Sequence, residues 1–153
     1  MKFGNGCWLQ QEGTECFPAS QVYFVKQEPS KVTLCMPTHY INHRGDTLGG
    51  VNLTMEISAP YEEVLQVRVQ HYMGVLDRSP KFELEPRQQG LLQVEEREDS
   101  LTVSNGSLHM EIGKLNADFA FYRLLSDGSR EKLTASNGRD LAYMKTAYKC
   151  LAY

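Results

Sequence analysis

Long apolar runs and clusters of basic residues are missing from this sequence of 153 residues. No run approaches the ~20 apolar residues that a membrane-spanning helix needs, and the first residues hold no apolar stretch of signal-peptide length. The 16 Lys and Arg residues are outnumbered by 19 Asp and Glu residues, and the resulting net charge of −3 argues against a polyanionic partner. We therefore expect a cytoplasmic protein that binds neither nucleic acid nor a membrane.

Motifs for nucleotide binding and nucleophilic catalysis are also lacking, since there is no Gly-rich phosphate loop, Walker sequence or Ser-His-Asp arrangement. The cysteines match no zinc or redox spacing and are too sparse for a disulfide scaffold. We expect reduced, core-packed thiols, with a stray disulfide as the alternative, at Cys7, Cys16, Cys35 and Cys150. Two glycosylation patterns, Asn52–Thr54 and Asn105–Ser107, are expected to be chance matches in a cytoplasmic chain.

What the sequence does contain is period-two alternation of apolar and polar residues along most of its length. This pattern is typical of half-buried strands in antiparallel sheets. The predicted strand faces are Val22/Phe24, Val32/Leu34/Met36, Val51/Leu53/Met55/Ile57, Leu65/Val67/Val69/His71, Leu101/Val103, Leu108/Met110/Ile112 and Phe119/Phe121/Arg123.

Turn signals separate these strands at roughly ten-residue spacing, as in β-sandwiches and barrels. Asn-Gly and Asp-Gly pairs tolerate the positive φ angles of tight hairpins. Glu95–Asp99 is predicted to be an exposed, charged connection. The predicted turns are Asn5-Gly6, Pro29-Ser30, Asn105-Gly106, Asp127-Gly128 and Asn137-Gly138, and the clearest hairpin is Leu101–Ile112. No repeat or linker divides the chain, so residues 1–153 are expected to form one all-β antiparallel sandwich domain.

Two segments give no clear strand pattern. His39–Gly50 is polar and contains glycine, which indicates a loop. Arg139–Tyr153 fits helical spacing and, less well, a strand, so both alternatives stay open. Aromatic and aliphatic residues continue to the last position, whereas domain ends are usually polar. We therefore expect a truncated sandwich, with self-association or a frayed segment after about Asn137.

Several histidines and carboxylates have a functional and a simpler structural interpretation. His39 and His43 are expected to be solvated loop residues, because no third ligand follows at metal-binding spacing. His71 is expected to be a core or interface histidine with one nitrogen hydrogen-bonded. Glu83 and Glu85 share a strand face and are expected to be solvated. We assign no catalytic, metal-binding or cofactor-binding residue, and the substrate-binding residues stay unknown.

Aromatic residues offer one further possibility, because an exposed row of rings in an all-β frame can bind sugars. Scattered aromatics in such proteins more often form core contacts or cross-strand pairs, which is the interpretation we favour. The residues concerned are Trp8, Tyr61, Tyr72, Tyr122, Tyr143 and Tyr148.

Several stretches, taken together, resemble the N-terminal domain of α-xylosidases and α-glucosidases of glycoside hydrolase family 31. Gly6–Gln10 resembles the first strand of that domain. Leu65–Gly74 is similar to a strand in which a valine-arginine pair precedes a histidine, an aromatic residue and a glycine. The segment from Gly106 through Phe119 and the Asp127-Gly128 turn to Thr134 resembles a further pair of strands.

The resemblance implies a galactose-mutarotase-like β-sandwich that packs on a catalytic (β/α)8 barrel of the same parent chain. The two catalytic aspartates of the family lie in that barrel, which nothing in this sequence matches. The expected role is that of a non-catalytic domain that helps shape the pocket of an enzyme acting on α-linked xylosides or glucosides, without a cofactor. A stand-alone carbohydrate-binding or protein-interaction sandwich is the alternative.

Overall fold

A computed structural model describes residues 4–5, 9–10, 12–71, 90–137 and 139–146 of the chain. Within these ranges the structure contains short strands and one 3₁₀ turn, Arg44–Thr47. The strands are β1 (Gly4–Asn5), β2 (Leu9–Gln10), β3 (Thr14–Pro18), β4 (Phe24–Glu28), β5 (Lys31–Pro37), β6 (Asn52–Ser58), β7 (Gln66–Gln70), β8 (Gln93–Glu96), β9 (Ser100–Asn105), β10 (Leu108–Gly113), β11 (Phe119–Leu124), β12 (Arg130–Ser136) and β13 (Ala142–Thr146).

Two antiparallel sheets make up most of the described chain. One sheet has the strand order β4-β5-β6-β7, and the other has the order β12-β11-β10-β9-β8. Two further antiparallel pairs are β13 with β3 and β1 with β2. The all-β antiparallel class is therefore confirmed, and the arrangement is consistent with a β-sandwich.

The core lies between the two large sheets, because alternate residues of their central strands are buried in one common cluster. Along β5 and β6 every second side chain is fully or almost fully buried, as the period-two pattern predicted. The other sheet contributes alternate residues of β9 and β10 in the same way. The cluster includes Val32, Leu34, Met36, Leu53, Met55, Ile57, Leu101, Val103, Met110 and Ile112.

The predicted hairpin between β9 and β10 is confirmed, but its turn lies one residue later than expected. Asn105 pairs with Leu108, so Gly106 and Ser107 form the two-residue loop. Gly106 has a φ of 60°, as the first position of a type II′ turn requires. Asn105 is the last residue of β9 and is only 2% exposed. The turns at Pro29-Ser30 and Asp127-Gly128 are confirmed as well.

Two predicted assignments are wrong at strand ends. Val22 is buried, but Phe24 is exposed, and Val25 packs against the core instead. The alternation breaks because β4 begins only at Phe24, after an irregular segment. The charged stretch Glu95–Asp99 is only partly a connection, because Glu95 and Glu96 are paired residues of β8.

The ambiguous C-terminal segment contains a strand where the structure describes it. Residues 142–146 form β13 and pair with β3, so the helical alternative is wrong there. The expected self-association or fraying after about Asn137 stays a prediction. Tyr143 is buried against the core cluster. The positions Gly6, Gly138 and 147–153 lie outside the described residues.

Candidate functional site

The loop between β5 and β6 is held in one conformation by its own side chains. His39 Nε2 lies 2.7 Å from the carbonyl oxygen of Asp46. The Asp46 carboxylate accepts from the backbone N–H groups of Asn42 and His43 and lies 3.3 Å from His43 Nε2. The Gly45 N–H donates to His43 Nδ1, so His43 caps the 3₁₀ turn. Both histidines lie in the predicted loop and His43 is exposed as expected, but His39 is half-buried, so the prediction that it is solvated holds only in part.

This loop is also fastened to the opposite sheet. The Tyr40 hydroxyl donates to the carbonyl oxygen of Leu115, in the turn between β10 and β11, at 3.0 Å. That turn is itself fixed, because Lys114 Nζ contacts Glu96 Oε1 at 2.7 Å and the carbonyl oxygen of Arg97. The Val22 N–H in turn donates to the carbonyl oxygen of Lys114. Four chain segments thus meet at this end of the sandwich.

Exposed apolar side chains gather at the same end. Leu48 is 81% exposed, Leu115 is 67% exposed and Tyr40 is 55% exposed. Every exposed aromatic residue among those described lies here, since Tyr23 and Phe24 stand at the start of β4. We call this surface the aromatic end, and it consists of Tyr23, Phe24, Tyr40, Leu48 and Leu115. Aromatic residues are enriched at protein interfaces, so the aromatic end is the strongest candidate for a functional surface.

The opposite end of the sandwich is closed by polar contacts. The Asn105 amide donates to the carbonyl oxygens of Tyr61 and Val64, at 2.7 and 2.9 Å. The Glu63 carboxylate accepts from both the hydroxyl and the backbone N–H of Ser107, and these two bonds lower the pKa of Glu63. A Cβ at Gly106 would displace that carboxylate, and the φ of 60° favours glycine at this position. The contacts bind the β6–β7 loop to the β9–β10 hairpin.

The other histidine and cysteine predictions have mixed outcomes. His71 is exposed, so the core interpretation is wrong, although its Nδ1 lies 3.2 Å from the carbonyl oxygen of Asn52. Its ring packs at a tilt of 54° against the ring of buried Tyr143, with the ring centroids 4.6 Å apart, just after the end of β7. Cys16 and Cys35 form no disulfide, as predicted, but both are only half-buried and neither belongs to the core cluster. Their partial burial raises the pKa of each thiol. Among the described residues, no three metal-ligating side chains come together.

The aromatic residues that the sequence singled out do not form a sugar platform where they are described. Tyr143 is buried, and the Tyr122 ring is covered by the Arg130 guanidinium at 4.5 Å. Tyr61 is half-buried beneath the Asn105 contact. Trp8, Tyr72, Tyr148, Glu83 and Glu85, together with Cys7 and Cys150, lie outside the described residues. The exposed Tyr23, Phe24 and Tyr40 were missed, because their exposure depends on strand ends and on a loop.

The asparagine side chains of both glycosylation patterns make hydrogen bonds within the folded chain. Asn105 is buried and its amide nitrogen donates two hydrogen bonds, and the Asn52 side chain accepts a hydrogen bond from the Cys35 thiol. A shallow depression elsewhere is lined by Gly13, Thr14, Glu15, Lys145 and Thr146. Its two charged groups neutralise each other at 3.2 Å. No described helix is both long and apolar enough to cross a lipid bilayer.

Comparison with known proteins finds that this all-β chain is similar to a part of two longer proteins. No protein-family model matches the chain. An α-xylosidase of Emericella nidulans is 29% identical over 147 residues, which cover 94% of this chain and 19% of that enzyme. The α-xylosidase XylQ of Lactiplantibacillus pentosus is 30% identical over 84 residues, covering 55% of this chain and 11% of that enzyme.

The chain is therefore homologous to α-xylosidases over most of its length, as the sequence resemblance predicted. It spans less than a fifth of the length of these curated relatives. In terms of fold and homology it is a β-rich domain that is homologous to one part of these α-xylosidases.

Proposed function

We propose that this chain is the non-catalytic N-terminal β-sandwich of a retaining α-glycosidase, active in the cytoplasm on α-linked xylosides. In this role it packs on the catalytic barrel of the same parent chain and helps to shape the mouth of the pocket. The observation that carries the proposal is the alignment, which takes in 94% of this chain but only 19% of the E. nidulans enzyme. The remaining four-fifths of such an enzyme offers room for a catalytic domain.

The charge state of the described carboxyl groups supports a non-catalytic role. A retaining glycosidase needs a general acid whose pKa is raised, and a second carboxylate about 5–5.5 Å away. The carboxyl groups with a clear pKa shift, Glu63, Glu96 and Asp127, all have a lowered pKa. Hydrogen bonds from Ser107, Lys114 and Ser129, respectively, are the main cause of each shift. These groups hold loops in place and are poorly suited to donate a proton at neutral pH.

An activity assay on two proteins tests the proposal. The full-length gene product that carries this chain should hydrolyse 4-nitrophenyl α-xyloside, whereas the 153-residue chain alone should give no turnover. Turnover by the chain alone would show that it holds catalytic groups of its own. Absence of hydrolysis by the full-length product on both α-xyloside and α-glucoside would refute the assignment to an α-glycosidase.

A carbohydrate-binding module is the second candidate, and the three exposed aromatic residues of the aromatic end favour it. Sugar platforms need flat rings that are free on one face. Calorimetric titration of the chain with xylo- and gluco-oligosaccharides should give saturable heat if this candidate is correct. No heat at high oligosaccharide concentration would eliminate it.

A further inference from the structure

We infer that the β5–β6 loop, residues 38–50, is the anchor by which this domain docks on the catalytic part of its parent enzyme. Tyr40, Arg44 and Leu48 are its contact residues, and the occupant facing them is the remainder of the α-glycosidase chain. The inference rests on the proposed function and goes beyond it by naming the contact segment. It is argued from the order, the exposure and the charge of the loop.

The β5–β6 loop is fixed by hydrogen bonds although Leu48 within it is exposed to solvent. Its two ends are tied by Thr38, whose N–H and hydroxyl both donate to the carbonyl oxygen of Val51. Inside it, Asp46 holds the backbone of Asn42 and His43, and His39 contacts the Asp46 carbonyl oxygen. A loop whose conformation is fixed in advance loses little entropy on binding, which favours its use as an anchor.

The exposed side chain of Leu48 favours a protein surface over a sugar as the partner of the loop. An aliphatic side chain that is 81% exposed on a fixed loop contributes nothing to the core of this domain. Covering it would remove apolar surface from water at roughly 25 cal/mol per Å² of area. A leucine offers no flat ring for stacking a sugar, whereas it fills a protein pocket well. Leu115, 67% exposed beside Tyr40, extends the same apolar surface.

Arg44 supplies the polar part of the contact. Its side chain makes no ion pair with any described residue, although Asp46 lies two positions away and is occupied by His43 and by backbone N–H groups. Arginine is enriched at interfaces because its planar guanidinium donates up to five hydrogen bonds. An apolar pocket bordered by carboxylate or carbonyl oxygens on the catalytic part would satisfy Leu48 and Arg44 together.

Leu91 provides a matched control at the other end of the sandwich. It is also 81% exposed. It lies just before Gln93, the first residue of β8, which pairs with Ser104 beside Asn105. Leu48→Cys and Leu91→Cys remove comparable exposed side chains and place a thiol at each end. Both should leave folding of the isolated chain unchanged, because surface substitutions usually have small effects.

The test is the rate of maleimide labelling at positions 48 and 91, read by peptide mass spectrometry so that the native cysteines do not interfere. In the isolated chain both positions should react at similar rates. In the full-length gene product, labelling at position 48 should slow by about tenfold or more, while position 91 stays fast, because a docked residue reacts only when the contact opens. Adding Arg44→Ala should restore part of the rate at position 48.

The outcomes separate this inference from the proposed function. Equal labelling of both positions in a full-length product that hydrolyses α-xylosides overturns the anchor and leaves the function standing. A full-length product without hydrolysis overturns both. Protection of position 48 only when an oligosaccharide is added assigns the loop to sugar binding and also overturns the anchor.

Discussion

Replacement of Asn105 by alanine should destabilise the domain more than any exposed substitution, because this side chain joins the two sheets at one end. Asn105 is 2% exposed, and its amide donates to two carbonyl oxygens of the β6–β7 loop. The Tyr61 oxygen keeps a turn bond from the Val64 N–H after the substitution, whereas the Val64 oxygen loses the donor that Asn105 provides. The substitution therefore removes two hydrogen bonds and leaves one acceptor poorly satisfied.

The expected loss follows from these contacts. Each hydrogen bond contributes about 0.5–1.5 kcal/mol net, so the loss of both should cost about 1–3 kcal/mol. With a urea m-value of about 2 kcal/mol per M, the unfolding midpoint should fall by about 0.5–1.5 M. Asn105→Asp keeps the shape but turns a carboxylate toward two carbonyl oxygens, so it should be more destabilising at neutral than at acidic pH.

Urea unfolding, followed by fluorescence, measures the unfolding midpoints of both Asn105 variants, with a substitution of the exposed Asn116 as the control. Asn116 is exposed in the β10–β11 turn, and its side chain makes no hydrogen bond within the described residues. Asn116→Ala should therefore change the free energy of unfolding by less than about 0.5 kcal/mol. If Asn105→Ala unfolds at the same urea concentration as Asn116→Ala, the amide contacts do not hold the loop to the hairpin and the reasoning fails.

Three further predictions concern single groups. The Ser107 hydrogen bonds lower the pKa of Glu63 in the folded state. The stability that these bonds give the domain is therefore fully present above the ordinary carboxyl pKa and is lost as pH falls through the lowered pKa. Glu63→Gln should weaken this acid dependence of the unfolding midpoint. Gly50 has a φ of 131° and a Cβ there would overlap the His39 ring, so Gly50→Ala should speed amide hydrogen exchange in residues 38–50, and unchanged exchange would contradict the strain. Burial raises the pKa of the Cys35 thiol, so Cys35 should react with a disulfide reagent more slowly than an unburied cysteine at neutral pH, and an equal rate would contradict its burial.

The central strands could be predicted from the sequence because local pattern and burial agree there. The run Val51–Ile57 alternates without interruption, and the same residues are alternately buried along β6. The Asn105-Gly106 signal located the right hairpin, since positive φ at a glycine is a local property. The role of Asn105 could not be predicted, because its two acceptors lie more than 40 positions earlier in the chain.

The aromatic end could not be predicted for a related reason. The side on which Phe24 lies depends on where β4 begins, and the strand starts one residue after Tyr23. Tyr40 and Leu115 are 75 positions apart and meet only because the sheets stack. No periodic pattern marks a loop residue such as Leu48 as exposed. The homology to α-xylosidases could be predicted from the sequence resemblance, whereas the exposed residues of the aromatic end could be located only from coordinates.

Association after cleavage is the most direct test of the claim that this domain works by packing on a catalytic partner. A protease site placed at the junction between the β-sandwich and the catalytic part of the folded full-length product would be cut, and the pieces would be separated by size-exclusion chromatography without denaturant. We predict that the sandwich piece co-elutes with the remainder and that α-xyloside hydrolysis persists in that fraction. Elution of the sandwich piece alone, with full activity left in the larger piece, would contradict the claim.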